Sequence, residues 1–350
     1  MIAALAFGAA LMAAYFGVAG VRAWSERRKL FDIPNERSSH VEPTPSGGGV
    51  AIVVVTLTFY LSASYIVPGT FSWGYFAGAM LIASISLIDD VYTIPMRWRL
   101  LTHAGAAVLL IADRGWWHFL YLPGFDVFVD LHAAGAVLTF LWIVGLVTAY
   151  NFMDGIDGMA GVQAVVAAAG WMAVGWLTGS AAAFYLGGAL LFSSLGFLIH
   201  NWQPARIFMG DVGSAFLGFS FAAIPLLANT GVDDTDKLLP TAAVLFVWFF
   251  VFDGVVTFIR RAFREAKPWR PHREHLYQRL VLSGLSHAAV STLYGVLAFA
   301  IGAGVIGMFS VRTQTAAILM IIDTALCTTV LLGINWRRKN SPTNDAKDAK

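Results

Sequence analysis

Residues 131–158 read LHAAGAVLTFLWIVGLVTAYNFMDGIDG, an almost entirely apolar run that ends in a cluster of polar side chains. An apolar segment of about 20 residues is long enough to cross the hydrocarbon core of a bilayer as a helix. Asn151, Asp154 and Asp157 follow the run at regular intervals. This stretch therefore predicts a transmembrane helix that carries carboxylates to one membrane surface.

Similar apolar runs occur along the whole chain. Of its 350 residues, 58% are hydrophobic and 13% are charged, and the mean hydropathy is +0.69, whereas average soluble domains are about 25% charged. The sequence thus excludes a soluble globule and predicts an all-α polytopic membrane protein with about eleven transmembrane helices. The predicted spans are 2–20, 48–67, 71–88, 100–113, 131–150, 160–177, 181–200, 213–230, 239–258, 287–308 and 313–335.

The distribution of positive charge orients these spans. An odd number of spans puts the two termini on opposite sides, and all Lys and Arg residues except Arg114, Lys237 and Arg312 then fall on the side of the C-terminus. By the positive-inside rule, that side is the cytoplasm. The expected cytoplasmic loops are 21–47, 89–99, 151–159, 201–212 and 259–286.

These loops belong to one predicted integral-membrane domain, residues 1–336, and residues 337–350 form a polar tail that we expect to be disordered. The net charge of +2 provides no broad basic surface, so nucleic acid is not an expected partner. The aromatic stretch 116–130 indicates an interfacial or re-entrant segment on the outer side.

Two further acidic motifs fall on the cytoplasmic side. Asp89 and Asp90 end the third predicted span, where adjacent carboxylates near low dielectric require a cation partner. Asp211 lies between glycines where the eighth span begins, so that helix amides face an anion while the carboxylate holds a metal. A helix stop at 89–90 and an N-cap at 211 are the simpler alternatives. These motifs together predict a metal-dependent site for a phosphorylated substrate.

The three-residue spacing of Asn151, Asp154 and Asp157 predicts that they lie along one helical face, each about one turn from the next. Gly155 and Gly158 leave room for a ligand or another backbone to approach. A polar helix cap is the alternative, but a cap needs one such residue rather than three.

The last cytoplasmic loop is rich in cations. It contains Arg273 and Arg279 and the pair His272 and His275, one helical turn apart. Phosphate binding is the natural use of such a loop. Positive-inside charge is the alternative for the arginines, and zinc is the rival ligand of the histidines, although no cysteine or third histidine lies nearby.

The first cytoplasmic loop is polar and leads into the glycines at 47–49, which suggest a close approach of the backbone to substrate. Its candidate binding residues are Asn35, Arg37, Ser38, His40 and Thr44. Single histidines near helix ends, such as His103, His200 and His287, are interpreted as interfacial packing.

Read in order, six motifs resemble those of the polyprenyl-phosphate N-acetylhexosamine-1-phosphate transferases, glycosyltransferase family 4. They are Pro34-Asn-Glu-Arg-Ser-Ser-His40, Pro43-Thr-Pro-Ser-Gly-Gly48, Asp89-Asp90, Asn151-Phe-Met-Asp-Gly-Ile-Asp-Gly158, Phe208-Met-Gly-Asp-Val-Gly-Ser214 and His272-Arg-Glu-His-Leu-Tyr-Gln-Arg-Leu280. The last motif looks closest to the O-antigen-initiating enzymes, and the family is similar to phospho-N-acetylmuramoyl-pentapeptide transferase. Ser46 departs from the family pattern, which commonly has a basic residue there.

The resemblance implies transfer of an N-acetylhexosamine 1-phosphate from a UDP-sugar to undecaprenyl phosphate, which yields undecaprenyl-diphosphate-sugar and UMP. It implies Mg²⁺, with Mn²⁺ as the alternative, and a bacterial inner-membrane enzyme with a periplasmic N-terminus, a cytoplasmic C-terminus and a cytoplasmic active site. The resemblance also implies contact with membrane lipids, and it is compatible with a homodimer.

The resemblance also implies roles for individual residues. The expected metal ligands are Asp211, Asp89 and Asp90. The expected catalytic residues are Asp89, Asp90, Asp154, Asp157, His272 and His275. The expected substrate-binding residues are Asn35, Arg37, Ser38, His40, Thr44, Asn151, Asn201, Arg273 and Arg279.

Two other functions are weighed against this one. The peptidoglycan enzyme phospho-N-acetylmuramoyl-pentapeptide transferase would share the chemistry but use another donor. An ion-coupled transporter would also need intramembrane carboxylates, but transporters place them near the midplane, whereas these cluster at helix ends. A single displacement is the preferred route, and a covalent aspartyl-phosphate is the alternative.

Overall fold

Apolar helices occupy most of the chain in the computed structural model, which describes residues 2–34, 42–92, 94–123, 125–229, 234–264, 273–311 and 314–339. The helices are α1 (Ile2–Arg28), α2 (Gly49–Ile66), α3 (Trp73–Tyr92), α4 (Met96–Arg114), α5 (Ala134–Met153), α6 (Met159–Thr178), α7 (Ala181–Asn201), α8 (Gly210–Ala228), α9 (Leu239–Phe246), α10 (Trp248–Ala262), α11 (Leu276–Leu282), α12 (His287–Val311) and α13 (Gln314–Lys339). A 3₁₀ helix (Asp234–Leu238) precedes α9, and the strands are β1 (Phe31–Asp32), β2 (Thr44–Pro45), β3 (Phe119–Leu122) and β4 (Val127–Asp130).

Each predicted span coincides with a helix or with the pair α9 and α10. Within the described residues, eight helices are long and apolar enough to cross a membrane, and α10 with the helical segment before it forms a ninth, bent candidate. Helix α4 is not among the eight and carries Arg97, Arg99, Asp113 and Arg114 near its ends. The helical, polytopic class is confirmed, while the total of about eleven spans and their orientation stay predictions. The polar tail from residue 340 lies outside the described residues.

Helix α8 forms the centre of the bundle. Every residue from Val212 to Ala228 is buried, and α8 packs against α2, α3, α5, α7 and α9. A helix that is apolar on all sides is stable only when other helices surround it. Because α8 begins at Gly210, its position fixes Asp211 at one end of the bundle.

Glycines allow the helices around α8 to approach it closely. A Cβ atom at Gly49 of α2 would lie 2.3 Å from Cα of Gly213 in α8, and one at Gly218 would lie 2.8 Å from Cα of Val147 in α5. Small residues at helix crossings permit such backbone contact in membrane proteins. The crossings therefore hold the beginnings of α2 and α8 together.

A break at Val247 separates α9 from α10 and bends the pair by 63°. The carbonyl oxygen of Phe246 at the break accepts a hydrogen bond of 2.7 Å from Nε2 of Gln163. The helix break leaves this carbonyl without its usual helical hydrogen bond, and the buried side-chain amide of Gln163 replaces that bond. In α10, which follows the bend, the side chains of Val255 and Phe258 are exposed.

Two small antiparallel sheets connect the helices of this all-α fold. Strands β3 and β4 pair from Phe119 with Asp130 to Leu122 with Val127, so the predicted re-entrant or interfacial segment 116–130 contains a β-hairpin. The hydroxyl of Thr241 donates a 2.7 Å hydrogen bond to the carbonyl of Tyr121, which ties the hairpin to α9. Short runs of β-branched and aromatic residues favour strands over a short helix.

The second sheet lies in the first predicted cytoplasmic loop. Strands β1 and β2 pair Phe31 with Pro45, and the carbonyl of Pro45 also accepts a 2.8 Å hydrogen bond from the amide of Phe208. The amides of Gly48 and Gly49 donate to the carbonyls of Phe208 and Met209. The glycine-rich segment is thereby joined to the segment that precedes α8.

Candidate active site

Two cavities meet at the end of the bundle where α3, α5 and α7 end and α8 begins. A polar cavity of about 680 Å³ contains many of the predicted carboxylates in its wall. An apolar cavity of about 1040 Å³ is lined by residues of α4, α5 and α10. Both are lined by Asn151, Asp211 and Gln278. The structure brings the three acidic motifs together, because Asp90, Asp154, Asp157 and Asp211 all line the polar cavity.

Asp90 links the end of α3 to the beginning of α8. Its Oδ1 accepts a 2.7 Å hydrogen bond from the amide of Asp211, and its Oδ2 accepts one of 3.2 Å from the amide of Val212. The first amides of a helix have no intrahelical partner, and a carboxylate there is favoured by the helix dipole. Asp90 therefore caps α8 across 121 residues of sequence.

Arg99 of α4 is the cation that the adjacent carboxylates require. Its Nη1 lies 3.0 Å from Oδ2 of Asp89 and 3.0 Å from Oδ2 of Asp211. The other oxygen of Asp89 accepts a hydrogen bond from the amide of Ile94 in the turn between α3 and α4. Asp89 lines neither cavity, and Arg99, which lies outside the sequence motifs, joins it to Asp211.

Asn151 contacts Asp211 directly. Its Nδ2 donates hydrogen bonds of 2.9 Å to Oδ1 of Asp211 and 3.0 Å to Oγ of Ser214. The amide can donate while the carboxylate only accepts, so the pair orients the Asp211 side chain. Both oxygens of Asp211 are thus held, one by Asn151 and one by Arg99.

The predicted single helical face for Asn151, Asp154 and Asp157 is wrong. Helix α5 ends at Met153, and the residues from Asp154 to Gly158 form a turn before α6. Gly158 has φ +77°, a left-handed conformation that glycine adopts without the steric cost of a side chain. Asn151 therefore reaches the polar cavity from the last turn of α5, whereas Asp154 and Asp157 reach it from the loop that ends at Gly158, the N-cap of α6.

Asp154 lies in this loop and is partly exposed to the polar cavity. Burial raises the pKa of its carboxyl to about 8, and the nearby carboxylates of Asp211 and Asp90 contribute further. Like charges in a region of low dielectric disfavour the ionised form. A cation bound in this cavity would instead favour the ionised form of the Asp154 carboxyl.

Asp157 and Asn201 fasten the loop to its neighbours. Asn201 accepts a 2.9 Å hydrogen bond from the amide of Gly158 and donates one of 2.9 Å to the carbonyl of Ile207. Oδ2 of Asp157 accepts from the amide of Ala205 at 3.1 Å. The predicted binding residue Asn201 therefore joins two of the predicted loops.

His287 was interpreted from sequence as interfacial packing, and that interpretation is wrong. Its Nδ1 lies 3.2 Å from Oδ1 of Asp157, and the residue lines the polar cavity. Because 130 residues separate the two side chains, no local spacing reveals the pair. His200, in contrast, contacts the carbonyl of Tyr15 in α1.

The apolar cavity has a polar end. Arg99, His103 and His275 line it together with Asn151 and the other residues shared with the polar cavity. The remaining wall is mostly aliphatic and aromatic, including Leu141, Val144, Val251 and Phe258. A long apolar chain with a charged head group matches this arrangement of surfaces.

Other predicted residues lie elsewhere or outside the described part. Thr44, Arg273 and Arg279 line neither cavity, and burial together with the charge of Arg260 lowers the pKa of Arg279. Ser46 and Gly47 of the glycine-rich segment line the polar cavity instead of Thr44. Outside the described residues lie Asn35, Arg37, Ser38, His40 and His272.

The donor set at the junction fits a magnesium ion. Carboxylate and amide oxygens predominate there, and Mg²⁺ typically uses one or two protein carboxylates together with substrate phosphates. Across the described ranges, no three His, Cys, Asp or Glu side chains form a ready metal-binding cluster. The junction therefore suits an ion that arrives with a diphosphate rather than one that the protein encloses alone.

Comparison with known proteins gives consistent matches. A family model described as glycosyl transferase family 4 matches residues 72–229. The probable undecaprenyl-phosphate N-acetylglucosaminyl 1-phosphate transferase of Bacillus subtilis (strain 168) is 31% identical over 257 residues, which cover 73% of this chain and 71% of the relative.

Two further relatives have different names. The decaprenyl-phosphate N-acetylglucosaminephosphotransferase of Mycobacterium tuberculosis (strain ATCC 25618 / H37Rv) is 32% identical over 336 residues, with coverage of 87% and 82%. The phospho-N-acetylmuramoyl-pentapeptide-transferase of Heliobacterium modesticaldum is 34% identical over 179 residues, 51% of this chain and 48% of the relative. The longer matches are with the N-acetylglucosamine enzymes.

Proposed function

The chain belongs to glycosyl transferase family 4, and on that premise we propose that it transfers a sugar 1-phosphate from a nucleotide sugar to a polyprenyl phosphate. The observation that carries the proposal is the meeting of a polar and an apolar cavity at Asn151, Asp211 and Gln278. A nucleotide sugar matches the polar cavity in its chemistry, and a polyprenyl phosphate matches the apolar one. Their phosphates then meet at the shared wall.

The finer assignment is a UDP-N-acetylhexosamine donor and undecaprenyl phosphate as acceptor. The names of the relatives at 31% and 32% identity favour N-acetylglucosamine as the sugar. We further propose that the site faces the cytoplasm of a bacterial inner membrane, because the positive charges of the chain collect on that side. A first step in O-antigen or related surface-polysaccharide synthesis is the corresponding cellular role.

The reaction that this arrangement supports is one displacement at phosphorus. An oxygen of the lipid phosphate forms a bond to the sugar-linked phosphorus, and the bond from that phosphorus to the bridging oxygen breaks, so that the oxygen leaves with UMP. A phosphomonoester has a second pKa of about 6, so the attacking phosphate is already ionised near neutral pH and needs no dedicated base. Positioning and charge neutralisation are what such a transfer requires.

The residues of the chain supply these two functions. Arg99, at the polar end of the apolar cavity, is placed to attract the lipid phosphate. Asp211 would hold Mg²⁺, and Asp90 and Asp89 at the end of α3 would assist it. The metal ion, when bound, would neutralise the charge that develops on the diphosphate. The loop from Asp154 to Gly158 would position the nucleotide sugar in the polar cavity.

The test of the function is a direct assay. Purified protein in detergent is incubated with UDP-N-acetylglucosamine, undecaprenyl phosphate and MgCl₂, and UMP release is measured together with formation of the lipid-linked sugar. We expect stoichiometric release of UMP that requires the lipid. A panel with UDP-N-acetylgalactosamine and UDP-N-acetylmuramoyl-pentapeptide identifies the donor. Absence of UMP release with every donor contradicts the proposal.

The raised pKa of Asp154 predicts that binding of Mg²⁺ releases a proton. Below a pH of about 8 this carboxyl is mostly protonated in the metal-free protein, and a divalent cation nearby favours its ionised form. The affinity for Mg²⁺ should therefore rise with pH up to about 8 and then level off. Calorimetric titration of MgCl₂ into the protein with bound UDP, in buffers of different ionisation enthalpy, counts the proton. Asp154→Asn is the matched control and should release fewer protons than the unaltered protein, whereas a pH-independent affinity in the unaltered protein contradicts the prediction.

A second prediction tests the apolar cavity. Gly145 of α5 lines it, and a Cβ atom at Gly145 meets no atom within 4 Å. Gly145→Leu should therefore fill the cavity without disturbing the bundle and raise the KM for the lipid about 10-fold, with the KM for the UDP-sugar unchanged. Gly307→Leu, at an equally open glycine of α12 away from both cavities, is the control. An equal rise in both KM values contradicts the assignment.

A further inference from the structure

Asp253 is a fully buried carboxylate in α10, at 0% exposure, and the proposed reaction does not use it. Its Oδ1 lies 3.1 Å from Nδ1 of His275 and accepts hydrogen bonds from the amide of Leu276 at 2.8 Å and from the hydroxyl of Thr257 at 3.0 Å. Its Oδ2 accepts from the hydroxyl of Tyr294 at 3.0 Å and from the amide of Tyr277 at 3.2 Å. A buried carboxylate is tolerated when such donors surround it.

Two contacts hold the imidazole ring of His275. Nδ1 of His275 lies 3.1 Å from Oδ1 of Asp253, and the His275 side chain also accepts a hydrogen bond from the amide of Gln278 in a capping box. These contacts fix the plane of the ring, as carboxylates do for histidines at other reactive sites. His275 lines the apolar cavity, so the fixed ring forms part of its polar end.

The same carboxylate holds the beginning of α11. Its bonds to the amides of Leu276 and Tyr277 satisfy two of the amides that a helix leaves without partners at its first turn. Gln278 lies in that first turn, accepts a 3.3 Å hydrogen bond from the amide of His275 and lines both cavities. One carboxylate on α10 therefore positions two side chains of the cavity walls.

The location of Asp253 gives this arrangement a further consequence. Helix α10 follows the 63° bend and forms one wall of the apolar cavity through Val251, Gly254, Val255 and Phe258. Asp253 lies among these residues in sequence and faces the bundle. The wall that would contact the lipid chain is thus joined to the side chains that would contact its head group.

We propose that Asp253 is a positioning residue that holds His275 and, through α11, Gln278 in the orientation that receives the phosphate of the lipid acceptor. The proposal rests on the proposed function, because it assigns the apolar cavity to the acceptor. It extends that function to a residue with no place in the six sequence motifs. Asp253 itself lines neither cavity.

The test is a double-mutant cycle on Asp253 and His275. Asp253→Asn should lower kcat with the lipid acceptor about 10- to 100-fold and leave the KM for the UDP-sugar unchanged. His275→Gln should produce a loss of similar size. In the His275→Gln background, Asp253→Asn should change kcat by less than about 2-fold, because the interaction that it disrupts is already absent. Thr257→Val removes another donor to the same carboxylate without altering His275 and should leave kcat within about 2-fold.

Several outcomes overturn the proposal. Fully additive losses in the cycle, accompanied by a lower Tm, make Asp253 only the cap of α11. Equal changes in both KM values remove the link to the acceptor. Full activity of His275→Gln also overturns it, even if Asp253→Asn does not accumulate in the membrane, because no oriented histidine is then needed. Absence of UMP release from the unaltered protein is a different result, since it rejects the proposed function itself.

Discussion

Asp211→Asn is expected to lower the rate of UMP release by at least about 10³-fold. Asp211 lies in the wall shared by the two cavities, and its two oxygens are held by Asn151 at 2.9 Å and Arg99 at 3.0 Å. Asparagine has nearly the same shape but lacks the negative charge that would bind Mg²⁺. Its amide nitrogen would also face a donor, either the amide of Asn151 or the guanidinium of Arg99.

The folding of this variant must be tested separately from its activity. Expression in the membrane, gel-filtration profile and Tm in detergent should match those of the unaltered protein within about 3 °C. Asp130→Asn, at an exposed residue of strand β4, is the control and should retain full activity. Mg²⁺-dependent activity within about 10-fold of normal would remove Asp211 from the metal site.

Gly155→Ala is expected to lower kcat about 100-fold by displacing the loop that carries Asp154. A Cβ atom at Gly155 would lie 2.1 Å from the hydroxyl oxygen of Tyr277, far closer than van der Waals contact allows. That hydroxyl donates a 3.2 Å hydrogen bond to the carbonyl of Phe152, so it has little freedom to move away. The Asp154 loop must shift instead, and the polar cavity changes shape. Steady-state kinetics of UMP release measure the effect.

A second substitution at the same contact provides a rescue. Tyr277→Phe removes the hydroxyl, after which the nearest ring atom lies 3.1 Å from the new Cβ. The double variant Gly155→Ala with Tyr277→Phe should therefore recover at least about 10-fold of the lost kcat. Tyr277→Phe alone should cost less than about 5-fold, because it deletes one hydrogen bond and no packing. A Gly155→Ala variant of normal activity, or a double variant no better than the single one, contradicts this account.

Hydropathy located the membrane helices because burial in lipid depends mainly on local composition. Each predicted span corresponds to α-helical structure, although α1 continues eight residues beyond the predicted end of the first span. The bend at Val247 was not predicted, since it depends on the amide of Gln163, which lies 83 residues away in the sequence. The hairpin at β3 and β4 was also missed, because a search for spans does not separate short strands from interfacial segments.

The site was predictable where charge alone indicates function. The acidic motifs at 89–90, 154–157 and 211 are expensive at a membrane surface, so their convergence could be inferred before any contact was known. Arg99, His287 and Asp253 could not be selected in the same way. Each acquires its meaning from a partner on another helix, and an isolated Arg, His or Asp near an apolar run has several ordinary explanations.

The shared wall of the two cavities has a consequence for inhibitor design. A compound with a uridine-like head and an aliphatic tail would occupy both compartments at once and pass Asn151, Asp211 and Gln278 where they join. Its two halves would be tethered, so the second would bind at a high effective concentration once the first is in place. Such a bisubstrate ligand would compete with the sugar nucleotide and the lipid together, whereas either half alone would compete with only one of them.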